Sequence, residues 1–238
     1  MVPAYTPVLR PETGVHCVVP PSASFSPRPP PMALNPMPIT RRARTVPMPP
    51  PGAVDADRLP TLVAPRLQLR WIEPADLDDL YGVFSDPDVT RYWSHLAWTS
   101  PDEATIYLEA IHQGFQQGNL FQWGIALRGD DRIIGSTTLY DIDHAQGRAE
   151  LGFALARDHW GRRYAREALT VLLDHAFGPM AMRRIEVDVD PRNLPSLRTL
   201  EALGFRREGY LRQRWQVGGE LQDSVLMGLL ANDWRASR

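Results

Sequence analysis

Proline limits this chain more than any other residue. Sixteen of its 23 prolines fall in residues 1–60. Proline fixes φ and removes a backbone donor, and stretches such as PSASFSPRPPPMALNPMPIT carry it at a density that neither helix nor sheet tolerates. Residues 1–58 are therefore expected to be a disordered Pro/Arg-rich segment or a non-native upstream extension, with the folded domain at 59–238. Met32, Met37 and Met48 are alternative starts that would leave that domain intact. Other roles for the segment are a PxxP ligand or a targeting stretch. No apolar run follows TRRART, which argues against a secretory signal. The one Cys, Cys17, lies in this segment, so the folded part has no disulfide and no thiol nucleophile. A single Cys also fits a reducing cytoplasm.

Past residue 60 the pattern alternates between periods of two and 3.6. Leu67–Ile72 reads as a strand. Glu73-Pro74 opens a helix with Leu77, Leu80 and Phe84 inward, and Asp86-Pro87-Asp88 is a turn. Ser100-Pro101-Asp102-Glu103 is a capping box for a helix to about Gly118, with Ile106, Ala110, Ile111 and Phe115 facing in. Strands follow at 123–127, 132–140 and 150–155. Ala165, Ala168, Leu169, Leu172, Leu173 and Ala176 then form one apolar helical stripe. Ile185–Asp190 alternates as a strand, and Leu194, Leu197, Leu200 and Leu203 line a short helix closed by Gly204. Strands at about 206–217 and 221–230 flank the Gly218-Gly219 turn. The expected class is a mixed α/β sheet in one domain.

Two junctions could carry chemistry. Glu150–Ala168 runs from a strand through a short loop into the strongest helix. Free N–H groups and the dipole at that helix start, with Arg162, Arg163 and Arg166, suit a pyrophosphate. Read blandly, the three arginines are a solvated cluster. At Asp190–Ser196 a strand meets a second helix. Asn193 is its expected cap, and Ser196 sits in its first turn.

These pieces together resemble the GCN5-related N-acetyltransferase (GNAT) superfamily, most closely its ribosomal-protein N-terminal acetyltransferase (Rim-type) branch. The resemblance covers about residues 62–236 and rests on order and spacing: Leu67-Gln-Leu-Arg70, Ser85–Trp93, Gly135, Glu150-Leu-Gly-Phe153, His159–Leu169, Arg192-Asn-x-x-Ser196, Leu203-Gly-Phe205 and Asp223-Ser-Val-Leu-Met. It implies an α+β fold, a mixed and mostly antiparallel sheet of about seven strands with about four helices, splayed at the fourth strand. It also implies acetyl-CoA as co-substrate. Phe153, Ala154 and Leu155 of that strand would pair with the pantetheine amides. Trp160, Gly161, Arg162, Arg163, Tyr164, Ala165 and Arg166 would hold the pyrophosphate, with Asn193 also at the cofactor.

The resemblance further implies direct acetyl transfer to an amine, with Glu150, Ser196 and Asn193 as the catalytic set. A carboxylate such as Glu150 would take the amine's proton. Glu186 and Asp188, on one face of their strand, are alternatives. His95 and His144 look like exposed loop residues, and His159 belongs to the phosphate loop. Two positions depart from the family pattern. Arg163 stands at the first glycine of Arg/Gln-x-x-Gly-x-Gly/Ala, and Leu200 stands where many members carry a Tyr acid. Ser196 could hydrogen-bond the thiol instead, with Tyr210 a weaker candidate. The acceptor is expected between Tyr92 and Trp93 on one side and Trp215 on the other. The α-amino group of a protein or peptide is the first expectation. A small amine, or a non-catalytic CoA-binding module, is the alternative.

Net charge of −2 gives no argument for nucleic acid or an anionic membrane, and no apolar run is long enough to span one. The scattered His residues do not suggest a metal. A cytoplasmic monomer or homodimer is expected.

Overall fold

A computed structural model describes residues 57–237. The expectation of disorder over 1–58 and the lone Cys17 lie outside those residues, Asp57 and Arg58 apart. Eight strands form one sheet: β1 Leu62–Val63, β2 Leu67–Arg70, β3 Leu120–Leu127, β4 Ile133–Asp143, β5 Arg148–Leu155, β6 Arg184–Val189, β7 Arg206–Val217 and β8 Glu220–Leu230. Their order is β1-β2-β3-β4-β5-β6-β8-β7. Every neighbouring pair is antiparallel except β5 and β6. Six α-helices accompany them: α1 Leu77–Phe84, α2 Pro87–Thr90, α3 Asp102–Gln116, α4 Tyr164–Phe177, α5 Leu194–Glu201 and α6 Ala231–Ala236. The additions to the expected count are short: a two-residue strand at Leu62 and the helices α2 and α6.

Two apolar layers sandwich the sheet. Ala168, Leu169, Leu172, Leu173 and Ala176 of α4 are fully buried against Leu67, Leu69, Trp123, Leu151 and Ile185. Each such leucine contributes roughly 1.5–3 kcal/mol of transfer free energy. On the other face, Leu80, Val83 and Phe84 of α1 and Ala104, Leu108 and Ile111 of α3 pack over Ile133 and Ala154. The expected cap of α3 is present: Ser100 Oγ accepts from Asp102 N at 3.3 Å, and the Glu103 carboxylate accepts from Ser100 N at 3.0 Å.

Two inward assignments are corrected. Ile106 is 52% exposed. The buried stripe is Ala104, Leu108 and Ile111, and Ile106 lies about 200° round the helix from Ala104. Leu194 is 51% exposed. Steps of three residues drift backward by about 60° each, so Leu194 falls off the face that buries Leu197 and Leu200.

The feature that positions the site is the β5–β6 pair. It is parallel and short: Arg148, Ala149 and Glu150 face Arg184, Ile185 and Glu186, and the pairing ends there. β5 continues on β4 as far as Leu155, and β6 continues on β8 as far as Val189. The two halves of the sheet therefore fork just past Glu150. Ion pairs pin the base of the fork, with Arg148 Nη1 at 2.8 Å and Arg184 Nε at 2.6 Å from the Glu186 carboxylate.

Candidate active site

One arm of the fork leads into the phosphate loop. Ala156 N donates to Ile134 O at 2.7 Å, and a 3-10 turn at Arg157–His159 follows. The half-exposed Trp160 turns back so that its Nε1 donates to Leu155 O at 2.7 Å. That bond occupies one of the two lone pairs of the Leu155 carbonyl. The side chains of Ala154 and Leu155 are buried, so any cofactor contact they make is through backbone. Phe153 packs on the α4 layer.

No side chain caps α4. Its first recorded backbone bond runs from Glu167 N to Arg163 O at 3.1 Å, so the N–H groups of Tyr164, Ala165 and Arg166 precede it at the helix end. Gly161 and Arg163 both adopt left-handed backbone, at φ 71° and 63°. For an Arg this costs about 1–2 kcal/mol, which is why the family pattern prefers glycine there. Arg163 meets the demand of the turn without a glycine. Its side chain and that of Arg162 are exposed and form no ion pair with the described residues. Arg166 Nη2 reaches Ala202 O at 3.4 Å, tying α4 to the end of α5. Glu167 is held by Arg66, which also lies 4.6 Å over the Tyr164 ring. Its negative charge in the first turn favours the helix dipole.

Glu150 stands at the fork. It faces Tyr140 across the β4–β5 ladder and Glu186 across β5–β6. Burial pushes its carboxyl above the usual carboxylate range. The charges of Asp141 and Glu186 push the same way, while the Tyr140 phenol and Arg148 oppose them. Tyr140 is the residue that sequence reading missed. Burial first, then the nearby Glu150 and Asp188 carboxylates, hold its phenol protonated.

Glu186 and Asp188 lie on one face of β6 as expected, and the β5–β6 register puts Glu150 on the same face, but both are engaged. Glu186 is held below its usual range, against its burial, by Arg184 and Arg148. Asp188 accepts from Trp215 Nε1 at 3.2 Å. That contact lays the β7–β8 hairpin over the β6 arm.

The other arm leads to α5. Asn193 Oδ1 accepts from Ser196 N at 3.2 Å, the expected cap. Leu200 is fully buried, so the position of the family's Tyr acid is part of the core. Tyr210 donates to Asp223 at 2.5 Å, and this bond holds its phenol above the ordinary value. Tyr210 is therefore a poorer proton donor than a free phenol.

On the acceptor side, Tyr92 lies under the Arg192 guanidinium at 5.7 Å, and Trp93 packs edge-on to Phe84 at 5.2 Å. Leu96 approaches Gly218 at the hairpin tip, so loop 91–100 and the hairpin meet. His95 Nδ1–H donates to Leu96 O at 2.8 Å. His95 and His144 are both half-buried rather than exposed, and the His144 Nε2 has no partner among the described residues. His159 is lowered in pKa, chiefly by burial and then by Arg162, which fits a neutral loop residue. Among the described residues no group of three or more His, Cys, Asp or Glu is placed to hold a metal, and no helix is long and apolar enough to cross a membrane.

The model of the acetyltransferase (GNAT) domain family matches residues 66–206, which carry β2, the fork, the phosphate loop and α5. The chain belongs to the GNAT family. Among GNAT relatives, the uncharacterized N-acetyltransferase p20 of Bacillus licheniformis is 36% identical over 174 residues, covering 73% of this chain and 98% of that protein. Spermidine N(1)-acetyltransferase of Vibrio cholerae is 25% identical, covering 71% and 95%. The fold matches that of Mycobacterium smegmatis RimJ, solved with CoA-disulfide, at TM-score 0.66 and 23% identity, covering 75% and 93%. This GNAT protein is thus an acetyl-CoA-dependent N-acetyltransferase. Its residues fit the co-substrate in kind: β5 has an edge unpaired with β6 past Glu150, the start of α4 has no side-chain cap, and Arg162 and Arg163 form no ion pair with the described residues.

Proposed function

We propose that the enzyme transfers acetyl directly from acetyl-CoA to a primary amine, and that its acceptor is the α-amino group of a protein or peptide, as in the Rim-type branch its motifs resemble. The observation that carries direct transfer is Glu150, half-buried at the fork with a raised proton affinity. An ammonium acceptor must lose a proton before it can attack, and a carboxylate tuned upward removes it more effectively than an ordinary one. The open edge of β5 beyond Glu150 supplies backbone N–H groups for the carbonyl oxygen as it gains charge. The α4 start and the Arg162 and Arg163 side chains hold the pyrophosphate. Ser196 sits at the start of the other arm, with its N–H fixed by Asn193, and its hydroxyl serves the departing thiol. Asn193 is then a positioning residue. Tyr92, Trp93 and Trp215 wall the acceptor. The setting is cytoplasmic.

A linear polyamine is the second reading. Asp141, Glu186 and Asp188 add negative charge around Tyr140 and Glu150, and one relative is named for spermidine. The test is a mass-spectrometric assay of the full chain with acetyl-CoA. The acceptors are peptides with free N-termini, the same peptides N-terminally blocked but containing Lys, spermidine, and an aminoglycoside. Free N-termini are expected to be acetylated at least about tenfold faster than the rest, a preference of about 1.4 kcal/mol. Faster acetylation of spermidine would install the second reading. Binding of acetyl-CoA with no amine acetylated would make the chain a non-catalytic CoA-binding module.

A further inference from the structure

Most glycines inside the sheet have a visible cause. A Cβ on Gly124 would come within 2.4 Å of Ile133, on Gly135 within 2.2 Å of Ala154 O, and on Gly228 within 2.7 Å of Arg184 and Glu208. Gly209 has no close neighbour, but it sits at a register shift of the β7–β8 ladder, whereas Gly152 has neither cause. Its φ lies outside the left-handed region, and a Cβ there would meet only the edge of the Tyr140 ring, at 3.6 Å. A glycine inside a strand costs roughly 0.5–1 kcal/mol relative to alanine. Here that cost leaves open space.

The place of that space matters. Gly152 is two residues past Glu150 on the same face of β5, and it is beyond the last residue paired with β6. Its neighbour across the other ladder is Thr138. Thr138 Oγ1 donates to Gln122 Oε1 on β3 at 2.9 Å, and the same oxygen takes the Tyr107 hydroxyl at 2.8 Å. Thr138 is thereby drawn toward β3 and away from Gly152. Thr137 Oγ1 donates to Gly152 O at 3.2 Å, which holds β5 in place under the gap.

We propose that Gly152, beside the Tyr140 ring, sets the acyl length the enzyme accepts, and that the space above it admits propionyl as well as acetyl. The proposal rests on the acetyl-CoA site at the fork and is independent of the acceptor. Its test is calorimetric titration of the full chain with acetyl-CoA and propionyl-CoA, without acceptor. Wild type is expected to bind the two within about threefold of each other. One methyl in a fitted pocket is worth about tenfold or more. Gly152→Ala is therefore expected to weaken propionyl-CoA about tenfold while acetyl-CoA changes by less than about threefold. Parallel weakening of both ligands in Gly152→Ala, or more than about tenfold rejection of propionyl-CoA by wild type, overturns the proposal alone. Failure of a folded chain to bind either ligand overturns the CoA site as well.

Discussion

Glu150→Gln is expected to lower kcat by about 10²–10⁴-fold, the range that a positioned general base supplies. The substitution keeps the shape of the side chain and its place between Tyr140 and Glu186, so KM for acetyl-CoA should hardly move. The pH profile gives the sharper readout. Transfer needs the ionised carboxylate, so wild-type kcat falls as pH drops through the Glu150 pKa. Burial places that limb above the usual carboxylate range. In Glu150→Gln the limb disappears. Stability should move the opposite way. A carboxyl whose pKa is raised in the fold favours the folded state while protonated, and that contribution is lost as pH rises through the folded pKa. At neutral pH the ionised group is a burden, and Gln removes it. The variant should therefore melt above wild type at neutral pH, and the gap should close in acid. A variant with wild-type kcat and an unchanged acid limb would remove Glu150 from the chemistry.

Gly135→Ala is expected to cost about 3 kcal/mol, the upper part of the range for overpacking. For a domain of this size that is a fall in Tm of roughly 6–12 °C. An added Cβ would sit 2.2 Å from Ala154 O, 2.9 Å from Leu155 Cδ2 and 3.0 Å from Leu155 Cα. Two of these are backbone atoms of β5, and β5 cannot move aside because it pairs with β4 from Arg148 to Leu155. The strain falls where β5 enters the phosphate loop, so acetyl-CoA affinity should drop with Tm. Gly82→Ala in α1 is the control. No atom lies within 4 Å of its Cβ position, and Ala suits a helix interior better, so its Tm should rise slightly. Equal melting of the two variants would mean that the β4–β5 contact is looser than described.

Local pattern made much of this fold legible. The α4 stripe, the Ser100 capping box, the Asn193 cap and the β7–β8 hairpin at Gly218-Gly219 all follow from spacing over a few residues, and all are present. Non-local features were harder. The register that sets Tyr140 opposite Glu150 depends on an irregularity in the β4–β5 ladder between Tyr140 and Asp143, which no short-range pattern encodes. Trp160 turning back onto Leu155 O, and Trp215 reaching Asp188, are likewise contacts made only once the fork exists. Ile106 and Leu194 were misplaced because apolar residues can match a helical period without lying on its buried side. Arg163 shows the reverse case: the family pattern marked the position, and the left-handed backbone explains why glycine is usual there.

The account stands on one opening, between β5 and β6, with the uncapped start of α4 beside it. Calorimetric titration of the full chain with acetyl-CoA tests it most directly. One acetyl-CoA per chain, displaced by free CoA, is the predicted result. No binding by a chain whose circular dichroism shows it folded would contradict the assignment of the fork as the acetyl-CoA site.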